Sequence, residues 1–432
     1  MDVAVIAGII MIISVVVMLV MGVPIGISIG MSSALAMITI LPFGPGIVTC
    51  AQKMFTGVNS FSLLAIPFFI LAGNIMNNGG IAIRLVNCAR LISGRLPGSL
   101  AQTNIVANML FGAISGSGTA AAAAIGGTMA PIELEEGYDK DYVAAVNIAS
   151  APTGQLIPPS NTLIVYATVA GSVSVAALFM AGYIPGIAWG ISLMFIAGYM
   201  AKKRGYVSTF SVTPKEALKV LWDALPSLLL IISGILKGVF TATEGSAIAV
   251  VYALILSLCY RSLKIKDLPS IILSSCKTTC IVIFMIGVSS IMSWVMAYTM
   301  IPTAIANAML SLSSNKYVIL LLMNVILLVV GTFMDPTPAV LIFTPIFLPI
   351  CQSFGMDPVQ FGIMIVFNLC IGTITPPVGV ILFTGCKVVG ISIEGVIKTL
   401  LPFFAAIAVV LLLVTYVPAM SMWIPSMLGL VK

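Results

Sequence analysis

Ile157-Pro158-Pro159-Ser160-Asn161 is the stretch that decides the fold, because Thr375-Pro376-Pro377-Val378-Gly379 repeats it at nearly the same place in the second half of the chain. A proline removes a backbone donor, clashes with the preceding helical turn and restricts the residue before it. Two adjacent prolines in an apolar run therefore predict a helix broken at mid-length. A membrane tolerates such a break only where protein or a water-filled cavity satisfies the freed backbone groups. Paired breaks in two halves are typical of a transport site.

The composition predicts an all-α polytopic membrane protein. The 432 residues are 60% hydrophobic and 7% charged, with a mean hydropathy of +1.20. A spanning helix needs roughly 20 apolar residues, so the chain can hold about ten to twelve, two of them interrupted. The net charge of +6 fits basic residues that flank membrane helices rather than a nucleic-acid surface. Met1-Asp2 lacks a basic n-region, so no cleavable signal peptide is expected.

Reactive side chains are scarce. The chain has no histidine, and its eight cysteines show no metal-type spacing, so we expect the cysteines to pack as small apolar residues. An enzyme would need a paired acid, a nucleophile with its base or a metal set at membrane depth. The sequence offers none of these, and we expect no enzymatic activity.

Two pairs of half-length apolar arms predict re-entrant helical hairpins, one in each half of the chain. Each hairpin has a small or polar tip and precedes one of the interrupted helices. The arms and tips are Ala101–Ile114, Ser115–Thr119 and Ala120–Ile132 in the first hairpin, and Tyr317–Val330, 331–338 and Ala339–Cys351 in the second.

The second half repeats the first at an offset of 218 residues. This offset carries Pro131 onto Pro349, Gly137 onto Gly355, Asp139 onto Asp357, and the first Pro-Pro step onto the second. An extracytoplasmic N-terminus places most of the 19 basic residues in the cytoplasm. The two hairpins then enter from opposite sides, which predicts inverted repeats, with both termini in the periplasm.

Each repeat thus offers a hairpin tip and a break, where half-helix C-termini and hydroxyls can coordinate sodium and half-helix N-termini favour an anion. We predict two sodium sites related by pseudo-symmetry; we expect no cofactor, with Na⁺ as the coupling ion. The first comprises Ser115, Gly116, Ser117, Thr119, Thr153 and Gly154, and the second Gly331, Thr332, Asp335, Thr337, Gly372, Thr373 and Thr375. Predicted substrate contacts are Ser117, Pro158, Pro159, Ser160, Asn161, Pro376 and Pro377.

Three of these side chains are compatible with a second role. Asp335 is the only acid at a hairpin tip, but Asp335-Pro336 also begins the returning arm, where an aspartate can cap the helix. Ser160 and Asn161 can likewise line the cavity or cap the resumed helix. The sequence leaves both roles open at all three positions.

Together these motifs resemble the large membrane subunit of TRAP transporters, the DctM-like family, over essentially the whole chain. The pattern departs at Ala242, where the family usually has proline, and at Gly245-Ser246, where alanines are common; both departures concern local packing. The resemblance rests on Gly116-Ser117-Gly118-Thr119, Gly137-Tyr138, Ile157-Pro158-Pro159-Ser160, Gly234 with Phe240-Thr241-Ala242-Thr243-Glu244, and Thr375-Pro376-Pro377-Val378-Gly379.

The resemblance implies sodium-coupled uptake of an organic acid across the bacterial inner membrane by an elevator motion. It implies two partners, a periplasmic substrate-binding protein and a small four-helix membrane subunit. Because the chain begins at the first large-subunit helix, we expect the small subunit to be separate. Family substrates include C4-dicarboxylates and sialic acids, and the overall likeness favours sialic acid. The alternative is a stand-alone sodium- or proton-coupled carboxylate carrier that needs no binding protein.

The expected organisation follows the repeats. The regions are 1–60, scaffold helices of the first repeat; 61–100, a third helix and an interfacial arm helix; 101–175, the transport region with the first hairpin and interrupted helix; 176–270, the closing helix of the first repeat and scaffold helices of the second; 271–316, a long helix and a connection; 317–390, the second transport region; and 391–432, the C-terminal helix.

Overall fold

A computed structural model describes residues 3–171, 173–206, 214–233, 242–312, 315–376 and 379–431. In these ranges the chain forms α-helices and short 3-10 turns without a strand, which confirms the all-α prediction. Some residues of the predicted motifs and sites lie outside the described residues, namely Gly234, Phe240, Thr241, Pro377 and Val378.

The first repeat contains ten helices in the described residues. They are α1 Val3–Val20, α2 Ile25–Ile40, α3 Phe43–Val58, α4 Ala65–Asn78, α5 Ile81–Ser93, α6 Ser99–Ser115, α7 Gly118–Glu135, α8 Lys140–Ser150, α9 Asn161–Ala170 and α10 Val175–Arg204. Helices α6 and α7 form the first hairpin, and α8 and α9 are the two halves of the first interrupted helix.

The described part of the second repeat also contains ten helices. They are α11 Pro214–Ser233, α12 Ala242–Cys259, α13 Leu268–Tyr298, α14 Ile301–Leu312, α15 Lys316–Gly331, α16 Pro336–Ser353, α17 Pro358–Gly372, α18 Val380–Val389, α19 Ile393–Tyr416 and α20 Ala419–Met427. Helices α15 and α16 form the second hairpin, and α17 and α18 the second interrupted helix. The return arms α7 and α16 begin and end at the predicted offset of 218 residues.

The two repeats pack reciprocally. The second half of each interrupted helix lies against the return arm of the opposite hairpin, α9 on α16 and α18 on α7. The first halves pack in the same exchanged way, α8 on α19 and α17 on α10. Specific contacts between the repeats fix this arrangement, since the Tyr166 hydroxyl donates to Pro358 O at 2.6 Å and the ring centres of Trp189 and Phe367 lie 4.6 Å apart. The hairpins and breaks therefore form one interlocked unit.

Two helices were not predicted. Helix α3 lies at the end of the region 1–60, and α14 lies in the connection after the long helix. Each has a proline near its start, Pro45 in α3 and Pro302 in α14. Both prolines lie in the first turn of their helix, where the missing N–H would have had no intrahelical partner.

The predicted interfacial arm is present as α5, which turns by 77° from α4. Gly80 makes the corner with a left-handed backbone, φ +70°. On this helix the Arg84 guanidinium lies 3.5 Å from the centre of the Tyr260 ring, and Arg84 Nη1 donates to Gly80 O. This arginine therefore stacks on the protein.

Four described stretches are long and apolar enough to cross a membrane as single helices: α10, Ile265–Tyr298, α16 and α19. Several other apolar helices are only 10–17 residues long, as expected where helices break or fold back. These lengths agree with a multi-pass membrane protein.

Close backbone contacts hold each hairpin against its interrupted helix. A Cβ added to Gly112 would lie 2.3 Å from the Gly154 Cα, and one added to Gly372 would lie 2.4 Å from the Gly331 Cα. Neither contact leaves room for a methyl group. Each repeat thus uses a pair of glycines to bring a hairpin arm onto its break.

We expect Gly112→Ala to destabilise the protein by about 2 kcal/mol or more, because a methyl group would force two backbones apart. Gly127→Ala is the matched control, since it adds the same methyl group to an exposed position with no atom within 4 Å. Thermal unfolding in detergent measures both. An unchanged unfolding temperature for Gly112→Ala would contradict the contact.

Candidate functional site

The two hairpin tips meet at one cavity of about 860 Å³. Its first wall comes from the tips and the first break. Its second wall comes from the N-terminus of α2 together with α4 and α13, and is mostly apolar. The tips and the break contribute Ser115, Gly116, Ser117, Thr119, Ala120, Gln155, Asn161, Thr162, Val165, Asp335, Thr337 and Pro338.

The first tip is a tight turn between α6 and α7. Gly116 ends α6 with a left-handed backbone, φ +61°. Ser117 caps α7, because its hydroxyl accepts from Ala120 N at 3.4 Å, and the Ser117 and Thr119 hydroxyl oxygens lie 3.1 Å apart. The tip therefore presents hydroxyl groups at the start of a helix.

The first break lies directly behind this tip. A Cβ added to Gly116 would lie 2.9 Å from Pro159 O and 3.3 Å from Asn161 Nδ2. The Pro158–Pro159 peptide bond is cis. Asn161 is half-buried, and its Oδ1 is buried without a hydrogen-bond partner among the described residues. An unpartnered acceptor beside the cavity is suited to a bound ligand or water.

The second tip carries the one titratable side chain found in the described cavity lining. Asp335 is exposed, and its Oδ1 accepts from Thr337 N at 3.2 Å as the cap of α16. The second break is tied to this tip, because Gly379 N donates to Thr332 O at 3.3 Å. Asp335 thus caps its helix and also lines the cavity.

Seven of the predicted site residues line the cavity, from both repeats: Ser115, Gly116, Ser117, Thr119, Asn161, Asp335 and Thr337. The other described ones lie behind the lining: Thr153, Gly154, Pro158, Pro159, Ser160, Gly331, Thr332, Gly372, Thr373, Thr375 and Pro376. The structure therefore brings the tips together in one chamber and keeps most break residues in a supporting layer.

The threonine hydroxyls of the supporting layer are hydrogen-bonded to backbone carbonyls. The hydroxyls of Thr153, Thr332 and Thr373 each donate to a carbonyl three residues earlier at 2.7 Å. Thr375 does the same to Ile371 O, four residues earlier. In this arrangement these side chains stabilise turns, and the carbonyl oxygens near the tips remain the groups of this layer suited to an ion.

Ser160 is fully buried and has a local role. Its hydroxyl donates to Gln155 O and accepts from Leu163 N at 3.3 Å, so it caps α9 and closes the break. Asn161, the next residue, reaches the cavity. Of the two roles that the sequence left open, Ser160 therefore caps the resumed helix and Asn161 lines the cavity.

Sequence reasoning missed four polar residues of the lining: Asn74, Gln155, Thr162 and Thr278. Asn74 and Thr278 belong to α4 and α13, two helices that also share the bond from Asn74 Nδ2 to Ser275 Oγ at 2.8 Å. No local motif marks them, because only packing brings these helices to the tips. Gln155 could have been found, since it directly follows Thr153-Gly154.

Electrostatically, the site suits an anion together with a cation. No basic side chain lines the cavity in the described part of the chain. Four helices begin at it, α2, α7, α9 and α16, and their N-terminal N–H groups carry partial positive charge. Hydroxyls and one carboxylate supply the oxygen atoms that sodium prefers.

Broken helices and hairpin tips from two interlocked repeats, meeting at one cavity, are typical of membrane transporters built from internal repeats. The family "Tripartite ATP-independent periplasmic transporter, DctM component" matches residues 12–420. The chain belongs to this family. The resemblance seen in the motifs is confirmed, and transport subunits rather than enzymes are its relatives.

Three curated relatives are similar over most of the chain. YgiK of Salmonella typhimurium is 53% identical over 92% of both chains. The isethionate TRAP transporter permease protein DctMQ of Oleidesulfovibrio alaskensis is 41% identical over 90% of this chain and 62% of its own. The sialic acid TRAP transporter large permease protein SiaM of Vibrio cholerae is 36% identical over 91% and 93%.

The crystal structure of the YdaH transporter of Alcanivorax borkumensis has a similar fold. It superposes with a TM-score of 0.65 over 90% of both chains at 13% sequence identity. At this identity the likeness concerns the fold alone, and it agrees with the predicted fold class.

We expect Ser160→Ala to lower stability by about 1–2 kcal/mol, because it removes a helix cap and a buried hydrogen bond. Asn161→Ala should leave the unfolding temperature nearly unchanged and weaken substrate binding, since Asn161 lines the cavity and its Oδ1 has no partner among the described residues. Thermal unfolding and substrate titration on the same samples separate the two effects. The reverse pattern would show that Ser160, not Asn161, contacts the ligand.

Proposed function

We propose that this chain is the large membrane subunit of a TRAP transporter that takes up an organic acid together with sodium. The observation that carries the proposal is the cavity at which both hairpin tips and four helix N-termini meet. The cavity combines groups that attract an anion with groups that coordinate a small cation. Family membership supports the same function.

The acid's carboxylate needs no arginine in this design. Without a basic side chain in the described lining, its negative charge is balanced by helix N-termini and by bound sodium. Sodium then makes the site more favourable for the anion, and the anion for sodium. Such mutual dependence is a physical basis for coupling the two fluxes.

The two sodium sites are assigned to the tips and breaks. Hydroxyls of Ser117 and Thr119 serve the first site and the Asp335 carboxylate serves the second, completed by carbonyl oxygens of the supporting layer. An ionisable residue at membrane depth is a functional group by default, and the exposed Asp335 carboxylate is free to accept a cation on the side away from Thr337 N.

An elevator motion fits the division of the cavity walls. One wall belongs to the interlocked unit of hairpins and interrupted helices. The other consists of α2, α4 and α13, mostly with apolar side chains such as Ile70, Ile281 and Met285. An apolar counter-surface with few directional bonds allows one unit to slide past the other. We therefore propose that the interlocked unit carries the cavity across the membrane.

The partners follow from the tripartite family. We propose a periplasmic substrate-binding protein that delivers the acid and a small four-helix membrane subunit that joins this chain in the bacterial inner membrane, with both termini of this chain in the periplasm. Sialic acid and C4-dicarboxylates are the proposed substrate classes. The sialic acid and isethionate relatives make sialic acid and isethionate useful first ligands to test.

Reconstitution into proteoliposomes with the small subunit tests the proposal. Uptake should need an inward sodium gradient, the binding protein and its bound acid. Sodium-independent uptake would refute the coupling. Uptake of free acid without any binding protein would instead favour the stand-alone carrier.

Asp335→Asn should raise the sodium concentration for half-maximal uptake about tenfold or more, because asparagine keeps the helix cap but removes the charge. Asp357→Asn is the matched control. Asp357 caps α17 in the same way, accepting from Val359 N at 2.7 Å, and it lies outside the cavity lining. Equal sodium dependence in both variants and wild type would remove Asp335 from the ion site.

A further inference from the structure

Glu133 is an acid in the interior of the interlocked unit, away from the cavity. It lies near the end of α7 and is fully buried. Among the described residues its carboxyl oxygens are bonded by Asn104 alone, whose Nδ2 lies 3.3 and 3.4 Å from them. Neither Glu133 nor Asn104 belongs to the proposed sodium sites or to the cavity lining.

A chain of buried hydrogen bonds leads from this pair to the first break. Asn108 Nδ2 donates to Asn104 Oδ1 at 2.8 Å and to Ser150 Oγ at 2.9 Å. Ser150 O in turn accepts from the Thr153 hydroxyl at 2.7 Å. Asn104, Asn108, Ser150 and Thr153 are all fully buried. The Glu133 carboxyl group is thus connected to the 3-10 turn Ala151–Gln155, which contains Thr153 and Gly154 of the predicted first sodium site.

The second repeat shows what the fold itself requires at this position. The offset of 218 residues places Cys351 where the first repeat has Glu133. The Cys351 Sγ lies 4.0 Å from the Met323 Sδ of α15, and both residues are fully buried. The same offset places Leu322, the neighbour of Met323, at the position of Asn104, so the contact between the hairpin arms is apolar in the second repeat.

The acid is consequently not needed for packing the hairpin. Burying a carboxyl group is costly, and replacing a buried polar pair by apolar groups of similar size is often neutral or stabilising. Glu133 lowers stability at a position where its counterpart Cys351 does not. We therefore expect Glu133 to serve a purpose other than folding. The chain of bonds points to the break.

We propose that Glu133 and Asn104 are positioning residues for the first sodium site, which hold Asn108 and Ser150 and thereby fix the Ala151–Gln155 turn. The inference rests on the proposed function. It assigns the two repeats different roles, because the second break has no acid behind it at the equivalent position. Groups that orient metal ligands from behind commonly change affinity by about 10–100-fold when removed.

The test replaces Asn104 and Glu133 by an apolar Met–Cys pair of the kind that joins the arms of the second hairpin, in the full chain reconstituted with its small subunit and binding protein. Asn104→Met and Glu133→Cys should each lower the unfolding temperature, since each leaves a buried polar group unpartnered. The double variant should regain it. We nevertheless expect the double variant to need about tenfold more sodium for half-maximal uptake, with the maximal rate much less affected.

Two further variants make the result decisive. Glu133→Gln keeps an oxygen that accepts from Asn104, so its sodium half-saturation should stay within about twofold of wild type. Asn108→Ala cuts the chain one step nearer the turn and should reproduce the shift, even where the double variant is poorly recovered. Glu135→Gln, at an exposed acid two residues away, is the control and should change nothing.

The outcomes separate the two proposals. Wild-type uptake without sodium dependence would refute the proposed coupling. Sodium-dependent wild type with unchanged half-saturation in both the double variant and Asn108→Ala would overturn the positioning role alone. A tenfold shift in Glu133→Gln would also overturn it, because a hydrogen-bonding role tolerates that exchange.

Discussion

In the hydrocarbon region every backbone N–H and C=O must find a partner within the protein, and two helices of this chain are interrupted there. At the first break, Leu156 N and Ile157 N donate to Thr153 O, and the Ser160 hydroxyl closes onto Gln155 O. At the second, Ile381 N donates to Thr373 O. These bonds require each break to be enclosed by protein. The glycine pairs that let a hairpin arm approach each break are the direct consequence.

Enclosing the breaks also creates the site. Helices that restart beside a hairpin tip point their N-termini at the same space, and the exchanged packing of α9 on α16 and α18 on α7 forces both tips into one interlocked unit. The cavity therefore results from the packing that satisfies the hydrogen bonds of the interrupted backbone. Its side chains, Ser117, Asn161 and Asp335 among them, add oxygen atoms to a space that already favours an anion.

The duplicated halves have diverged where function differs. The first tip offers hydroxyls and the second a carboxylate, while the buried Glu133 has Cys351 as its counterpart. The scaffold differs too, because the long helix α13 replaces two helices, α3 and α4, that are separated by the turn Phe61–Leu64 in the first repeat. An asymmetric site inside a symmetric framework can treat two ions and one anion differently.

The sequence by itself determined the membrane class, the hairpins, the two breaks, the repeat offset and the family, because prolines, glycines and hydropathy act locally and leave a readable pattern. It also located the tip residues Ser117, Thr119 and Asp335. It did not separate Ser160 from Asn161, or reveal Asn74, Thr278 and the Glu133–Asn104 pair. Which side of a break faces the cavity, and which helices supply the opposite wall, depend on contacts between distant residues, such as Asn74 with Ser275, which are 201 positions apart. Only the packed structure decides those contacts.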